Sequence, residues 1–228
     1  MKVLALDTST RAGSLALTEQ GRLVASFLLD LPAAHSARLL PSLDRLLRDA
    51  EWRLADLDLL VCVQGPGNFT GLRNGLSTAK GLAFAAELPL IGVNSLEATA
   101  LGFSYANTPI CPMLDARKKQ VFAALFLPDG RGGLERLRDD ESVFAGDYAA
   151  GVRGPCLFVG DGAELYASAI VQKKSDALVV PSAICYPRAA GAALLGETAY
   201  LAGRRGLVAH YVRASDAELN PKFAGGGS

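Results

Sequence analysis

The residues best suited to chemistry begin at Asp7-Thr8-Ser9, which with Gly13 set a carboxylate and small hydroxyls between two apolar runs. A carboxylate at a strand end, followed by hydroxyls and glycine before a second strand, can hold a metal-bound phosphate against a tight hairpin. The same residues also make an ordinary turn in which Asp7 and Thr8 bond their own backbone, and taken alone they fit that reading better. A second candidate is Gly65-Pro66-Gly67-Asn68-Phe69-Thr70-Gly71-Leu72-Arg73-Asn74-Gly75, a glycine-rich loop that opens a helix. Free N–H groups and the dipole at a helix start favour an anion. Neither common phosphate-binding pattern is met, because no Gly-Lys-Ser/Thr follows and Thr70 interrupts Gly-x-Gly-x-x-Gly. Gly71, Gly75, Ala79 and Gly81 read better as a small-residue face for close packing against another helix.

Other chemistries lack their residues. A metal site on a helix needs paired ligands such as two histidines four apart, and His35 has Leu39 at that position. No Gly-x-Ser-x-Gly elbow supports nucleophilic catalysis, and the context of His35 and His210 is uninformative. Arg117-Lys118-Lys119 is a basic turn, read either as a solvated hairpin tip, slightly the better fit, or as a contact for a phosphate backbone.

The elements that must position these residues follow from periodicity. Val3 to Leu6, Ser14 to Leu17 and Leu23 to Leu28, separated by the Asp7–Gly13 stretch and by Gln20-Gly21, predict a three-stranded antiparallel meander. Ser36 can cap an amphipathic helix on which Leu39, Leu40, Leu43, Leu46, Leu47 and Ala50 recur at three- and four-residue steps. Pro41 either kinks that helix or marks its start. Leu57 to Val63 reads as a buried strand, followed by a helix from a cap at Thr70 to about Ala86, a strand over Pro89–Val93 and a helix capped at Ser95. The first half is thus β-β-β-α-β-α-β-α. In the second half Ile110 to Leu114 and Gln120 to Phe126 form another hairpin, Pro128 to Gly133 a loop, and Cys156 to Val159 a strand. A helix from Ala163, a short strand at Leu178–Val180 and a helix over Arg188–Ala202 ended by Gly203 complete it. The Gly-rich tail, Asn220 to Ser228, is expected to fray.

Composition removes several function classes. Of 228 residues half are hydrophobic, and 23 Lys+Arg balance 23 Asp+Glu, so the chain has the make-up of a globular protein. Zero net charge leaves no global field to gather nucleic acid or anionic lipid, so any RNA contact must use a local patch or a partner. Cys62, Cys111, Cys156 and Cys185 lie far apart without a C-x-x-C pair and are expected to be buried thiols in a reducing cytosol. Asp7 interrupts the first apolar run too early for a signal-peptide core, and no run reaches the ~18 residues of a membrane span. A cytoplasmic protein without membrane contact is expected.

Several strings carry more than a pattern: Leu4-Ala5-Leu6-Asp7-Thr8-Ser9, His35-Ser36-x-x-Leu39-Leu40-Pro41, Gly65 to Arg73, Asp115-Ala116-Arg117, and Gly160-Asp161-Gly162-Ala163. From about Lys2 to Arg213 the chain resembles the TsaB (YeaZ) family, to which the Gly-Pro-Gly-x-Phe-Thr-Gly-Leu-Arg string is highly specific. Asn68, where the family usually has Ser, and Asn74, where a small apolar residue is common, are departures.

The resemblance implies a two-lobed actin-like, RNase H-like α/β fold of the ASKHA type, with mixed sheets flanked by helices. Residues 1–105 would form the lobe carrying the dimerisation helices, and 106–228 a smaller or degenerate lobe. It implies a role in making N6-threonylcarbamoyladenosine (t6A) at position 37 of tRNAs that read codons beginning with A. In that role the chain is a non-catalytic partner of the threonylcarbamoyltransferase TsaD, joined by the ATPase TsaE. Contact with tRNA would be indirect, through the complex. A homodimer is expected when the chain is alone, because the partner patch would otherwise be exposed.

The family's dimer surface maps onto Ser36–Ala50 and Thr70–Ala86. There Leu39, Leu43, Leu46, Leu47, Leu72, Gly75, Leu76 and Ala79 are the expected interface residues, with Arg73 at the rim. On that reading Leu43→Glu or Leu76→Glu would prevent the heterodimer yet leave a folded monomer. Asp7, Thr8 and Ser9 would be a remnant of a nucleotide-phosphate site. No cofactor of its own and no metal is expected, with ATP or ADP placed, if anywhere, at the interface of the complex. The competing reading is an autonomous actin-like ATPase or kinase. It needs a second glycine-rich phosphate hairpin and a catalytic carboxylate near it, yet the corresponding turn is Asp115-Ala116-Arg117-Lys118-Lys119, whose bulky cations are expected to keep the backbone from closing around phosphates in the same way. A metalloprotease reading lacks its ligand pair.

Overall fold

The computed structural model describes residues 1–29, 35–185 and 188–212. The amino-terminal meander forms as expected: β1 (Lys2–Asp7), β2 (Gly13–Glu19) and β3 (Arg22–Leu29) are successive antiparallel neighbours, with Asp7 opposite Ser14. Next come α1 (His35–Asp49), β4 (Leu59–Gly65), α2 (Phe69–Ala85), β5 (Leu90–Asn94) and α3 (Ser95–Leu101). β4 lies parallel to β1 and β5 parallel to β4, giving a mixed sheet in the order β3-β2-β1-β4-β5. Helix α1 runs through Pro41 without a break, so the proline neither starts nor ends it.

Alternation along β1 and β4 builds two cores, since successive strand side chains point to opposite faces. Leu4, Leu6, Leu60 and Cys62 face the leucine stripe of α1 and the inner side of α2. Val3, Ala5, Val61 and Val63 face the other way, toward Ala189, Ala192, Ala193 and Ala199.

The second half repeats this plan. Strands β6 (Ile110–Asp115), β7 (Gln120–Pro128) and β8 (Leu134–Phe144) precede α4 (Ala145–Ala150), β9 (Leu157–Val159), α5 (Asp161–Leu165), α6 (Ala167–Lys173), β10 (Leu178–Val179) and α7 (Arg188–Leu201). Their sheet order, β10-β9-β6-β7-β8, is that of the first sheet read from the opposite edge. The closing helix of each half also packs beyond its own sheet. Leu96 and Ala100 of α3 join the core of the second sheet, while the alanines of α7 pack on the first. Close approach explains the alanines and Gly196, where a β-carbon would overlap the Val61 side chain.

Sequence periodicity does not predict β8, the longest strand. Its half-buried positions include Arg136 and Arg138, whose guanidinium groups lie 4.6 Å and 3.8 Å from the ring centres of Phe126 and Tyr148. Cation–π contact and buried aliphatic stems thus do there what apolar residues do elsewhere. Two expected caps shift by one or two residues. Asn68, not Thr70, caps α2 by accepting from the Gly71 N–H at 2.9 Å, and Asn94, not Ser95, caps α3 by accepting from Leu96 and Glu97. The side chain has the geometry to reach the first free amides while its own residue stays extended. The expectation about the Asn220–Ser228 tail lies outside the described residues, as does the side chain of His35.

Candidate functional site

The β1–β2 loop brings Asp7 to the junction of the two halves, where it is 1% exposed. Its Oδ1 accepts from the backbone N–H and hydroxyl of Ser9 at 2.8 Å and 2.6 Å. Its Oδ2 lies 3.0 Å from Nε of Arg188, itself 2% exposed at the start of α7. The Arg188 guanidinium also donates to the Thr10 hydroxyl and, at 3.3 Å, to the Ala12 carbonyl. A charge taken from water demands a partner, and the chain supplies one from within: Asp7 Oδ2 faces Arg188 as an ion pair without accepting a hydrogen bond, while Oδ1 is hydrogen-bonded by Ser9. Thr8 donates to the Gly71 carbonyl at 2.7 Å, so Asp7, Thr8 and Ser9 are all buried and internally engaged.

The glycine-rich loop packs directly on this turn. The Asn68 N–H donates to the Ser9 carbonyl at 2.6 Å, and the Ser95 hydroxyl to the Pro66 carbonyl at 2.5 Å. β-Carbons at Gly67, Gly71 and Gly75 would overlap the Ser9 carbonyl, the Thr8 carbonyl and Thr8 Oγ1. Those glycines therefore admit the β1–β2 loop: Gly71 and Gly75 of α2 meet Thr8, while a β-carbon at Gly81 would meet nothing within 4 Å. Gly75→Ala is expected to cost about 1–3 kcal/mol through overpacking, and removing the opposing hydroxyl in Gly75→Ala/Thr8→Ala should return part of it. Thermal denaturation of the three variants checks this. Equal losses in the single and double Gly75 variants would exclude the clash.

An actin-like fold implies a nucleotide and its metal, and these residues do not fit that pair at Asp7. Both carboxylate oxygens are already occupied, one by Ser9 and one by a cation on the same chain. A metal-bound phosphate would have to displace Arg188. Among the described residues no group of three His, Cys, Asp or Glu is placed to hold a metal ion.

Beside this turn a cleft of about 430 Å³ separates the two halves, lined by Thr10, Arg11, Asn68, Asp115, Arg117, Asp161, Glu164, Leu165 and Ser182. Asp115 accepts from the Arg117 N–H at 2.9 Å and from the Tyr166 hydroxyl at 3.2 Å. Burial pushes the Asp161 carboxyl above its ordinary range; Arg188 opposes that and Asp115 adds to it. A raised carboxyl value means that the folded chain holds the proton more tightly than the unfolded one. Its destabilising effect is therefore absent well below the unfolded value of about 3.9, grows as pH rises from there toward the folded value, and is complete above it. Asp161→Asn should raise the melting temperature more at pH 8 than at pH 4, and the same increment at both would contradict the assignment.

The β6–β7 turn takes a glycine-like backbone path without glycine. Arg117, Lys118 and Lys119 have φ of 63°, 53° and 64°, so bulky cations do adopt the left-handed conformation that glycine favours. The closing bonds are Ala116 N–H to the Gln120 carbonyl at 3.0 Å and Gln120 N–H to the Arg117 carbonyl at 2.9 Å.

The structure places the expected interface residues, Arg73 apart, inside the chain. Leu39, Leu43, Leu46, Leu47, Leu72, Gly75, Leu76 and Ala79 are all buried in this chain's own core against the first sheet. An amphipathic helix spends its apolar stripe on its own sheet first, leaving none of these side chains for a partner. Only Arg73 is exposed, 4.4 Å above the Phe69 ring, which itself packs on Tyr211 at 5.3 Å. What α2 turns outward is Thr70, Arg73, Ser77, Lys80, Gly81 and Phe84, the last 88% exposed. The outer face of α1 carries Leu40, Pro41 and the ion pairs Arg45–Asp49 at 3.1 Å and Arg48–Asp44 at 2.5 Å.

Sequence reasoning passed over Arg188. Its signal was a lone arginine opening a helix that is otherwise almost all alanine, glycine and leucine. It also passed over Asp140, which accepts from Asn94 at 2.5 Å and Arg136 at 2.5 Å and lies 3.0 Å from His210 Nε2. His210 thus ties the carboxy-terminal segment to β8. The four cysteines are buried free thiols, and burial pushes Cys156 up to about 12. No helix among the described residues is long and apolar enough to cross a membrane.

Comparison with known proteins agrees with this architecture. The family described as TsaD: tRNA N6-adenosine threonylcarbamoyltransferase matches residues 31–211. The tRNA threonylcarbamoyladenosine biosynthesis protein TsaB of Bacillus subtilis is 32% identical over 222 residues, 96% of each chain. The protein of the same name from Escherichia coli is 37% identical over 157 residues, 68% of this chain and 63% of its own. Among solved structures, YeaZ from Pseudomonas aeruginosa superposes with a TM-score of 0.76 at 26% identity, covering 90% of this chain and 95% of that one. The two mixed sheets flanked by helices are those of the expected two-lobed actin-like fold.

Proposed function

We propose, from the premise that this chain belongs to the TsaB (YeaZ) family of tRNA threonylcarbamoyladenosine biosynthesis proteins, that it serves there as a non-catalytic subunit of a threonylcarbamoyltransferase complex. The chain has a role in t6A biosynthesis. Its partner in this reading is a TsaD-like paralogue that performs the transfer to adenosine 37, with a TsaE-like ATPase joining the pair. The observation that carries the non-catalytic part is the Asp7–Arg188 pair. The carboxylate that would engage a metal-bound phosphate is neutralised within the chain, so any ATP or ADP handled by the complex would be held mainly by partner residues.

Since the inner leucines of α1 and α2 are committed to the core, the partner surface in this reading is the outer face of the same helices. Small Ser77 and Gly81 let another helix approach closely, and Phe84 offers an apolar anchor beside Arg73 and Lys80. The same face would hold a homodimer when the partner is absent, and the setting is cytoplasmic. The test is copurification with the TsaD-like paralogue, followed by threonylcarbamoylation of tRNA with and without this chain. Activity that requires both chains is the expected result. Activity of the paralogue alone, or ATP turnover by this chain that Asp7→Ala abolishes, would overturn the reading in favour of an autonomous ATPase or kinase.

A further inference from the structure

The least economical feature of the fold is the tip of the β6–β7 hairpin. L-residues in the left-handed region pay roughly 1–2 kcal/mol each, and glycine pays none of it. The chain nevertheless places Arg117, Lys118 and Lys119 at three successive such positions, all exposed. Folding would be served better by glycine, so the side chains are retained at a conformational cost. Strained backbone of this kind concentrates where function requires it. The tip is also held firmly. It closes the β6–β7 ladder through Ala116 and Gln120, while Asp115 accepts from the Arg117 N–H and lies 3.6 Å from the Arg117 guanidinium. The backbone that carries its charges is therefore fixed in place.

We infer that the Arg117-Lys118-Lys119 turn, together with Arg11 on the facing wall of the interlobe cleft, is a contact for the phosphodiester backbone of RNA. The inference rests on the proposed role in tRNA modification and deepens it by assigning this chain a direct contact. The charge pattern favours a polyanion passing along the rim. Asp115, Asp161 and Glu164 line the cleft below and repel phosphates that would enter it. The chain as a whole has no net charge, so attraction must come from a local cluster, and three successive cations supply one. Lysines acting as point charges position a backbone without reading bases, so the contact should be indifferent to tRNA sequence.

The experiment uses the reconstituted complex with the TsaD-like paralogue and fluorescently labelled tRNA, with anisotropy followed between about 50 and 200 mM salt. Lys118→Gly/Lys119→Gly removes two charges and relieves the backbone together, so it should melt no lower than the parent while binding tRNA more weakly. Each lost phosphate contact lowers the slope of log K against log salt by roughly 0.7–0.9. The pair should lower it by about 1.5, equally for unrelated tRNAs. Lys118→Gln/Lys119→Gln, which keeps the strained turn, should lose the same affinity. Unchanged affinity and slope in an intact complex would overturn the inference. So would loss of the paralogue on substitution, which would make the turn a protein contact, or displacement of the tRNA from this turn by millimolar ATP, which would make it a nucleotide site. If no complex assembles, the failure lies with the proposed function. The same slopes measured on the isolated chain at low salt then decide the RNA contact by themselves.

Discussion

Arg188→Ala is expected to destabilise the folded chain by about 3–5 kcal/mol, because it leaves the Asp7 carboxylate buried without its cation. Domains of this kind are stable by only about 5–15 kcal/mol, and each kcal/mol moves the melting temperature of a chain this size by roughly 2–4 °C. The melting point should therefore fall by some 6–20 °C. The loss belongs to the unpaired charge rather than to missing packing, and a second variant separates the two. Asp7→Asn/Arg188→Met removes both charges while keeping approximate volume, and it should recover most of the stability. Thermal or urea denaturation followed by circular dichroism reads both. If Arg188→Ala costs under about 1 kcal/mol, or if the double variant is no better than the single, the pair is not the buried neutralisation described here. A further consequence is that no ATP turnover should emerge from Arg188→Ala alone, since Ser9 still engages the other oxygen of Asp7.

Phe84→Glu and Gly81→Glu should abolish binding to the TsaD-like paralogue, and with it t6A formation, while leaving the monomer folded. A β-carbon at Gly81 meets nothing within 4 Å and Phe84 is 88% exposed, so neither change touches the core. A charge forced into a desolvated interface costs about 2–5 kcal/mol, or roughly 30- to 5,000-fold in Kd. Leu43→Glu and Leu76→Glu act differently. Both side chains belong to the core between α1, α2 and the first sheet, so a buried carboxylate there should unfold the lobe rather than yield a binding-deficient monomer. Size-exclusion chromatography with the paralogue, alongside circular dichroism of each variant, distinguishes the classes. Retained binding by both Phe84→Glu and Gly81→Glu would remove the outer face of α2 from the interface. Well-folded Leu76→Glu would mean that the leucine stripe does not carry the core.

The order of elements was legible in the sequence because it depends on local periodicity and turn residues. The meander whose first strand ends at Asp7, and the helices expected from Ser36 and Thr70, follow from spacing to within a residue or two. The family resemblance was legible for a related reason. Gly67, Gly71 and Gly75 sit where the chain leaves no room for a side chain, so a short string records a tertiary constraint.

Strand β8 was not legible, because arginine stems stacked on Phe126 and Tyr148 replace the apolar alternation that marks a strand. Nor could periodicity say what a leucine face packs against: Leu39, Leu43, Leu46 and Leu47 announce an amphipathic helix whether they meet their own sheet or another chain. That was decided only when β1, β2 and β4 assembled beneath α1. The same holds at Asp7. A carboxylate after a strand has the same local signature whether it awaits a metal or is already neutralised. The distinction depends on Arg188, which is remote in sequence and reaches Asp7 only because α7 packs back across the first sheet. Short-range chemistry fixes which elements form, while long-range packing decides which charges meet, and that second step sets what this site can do.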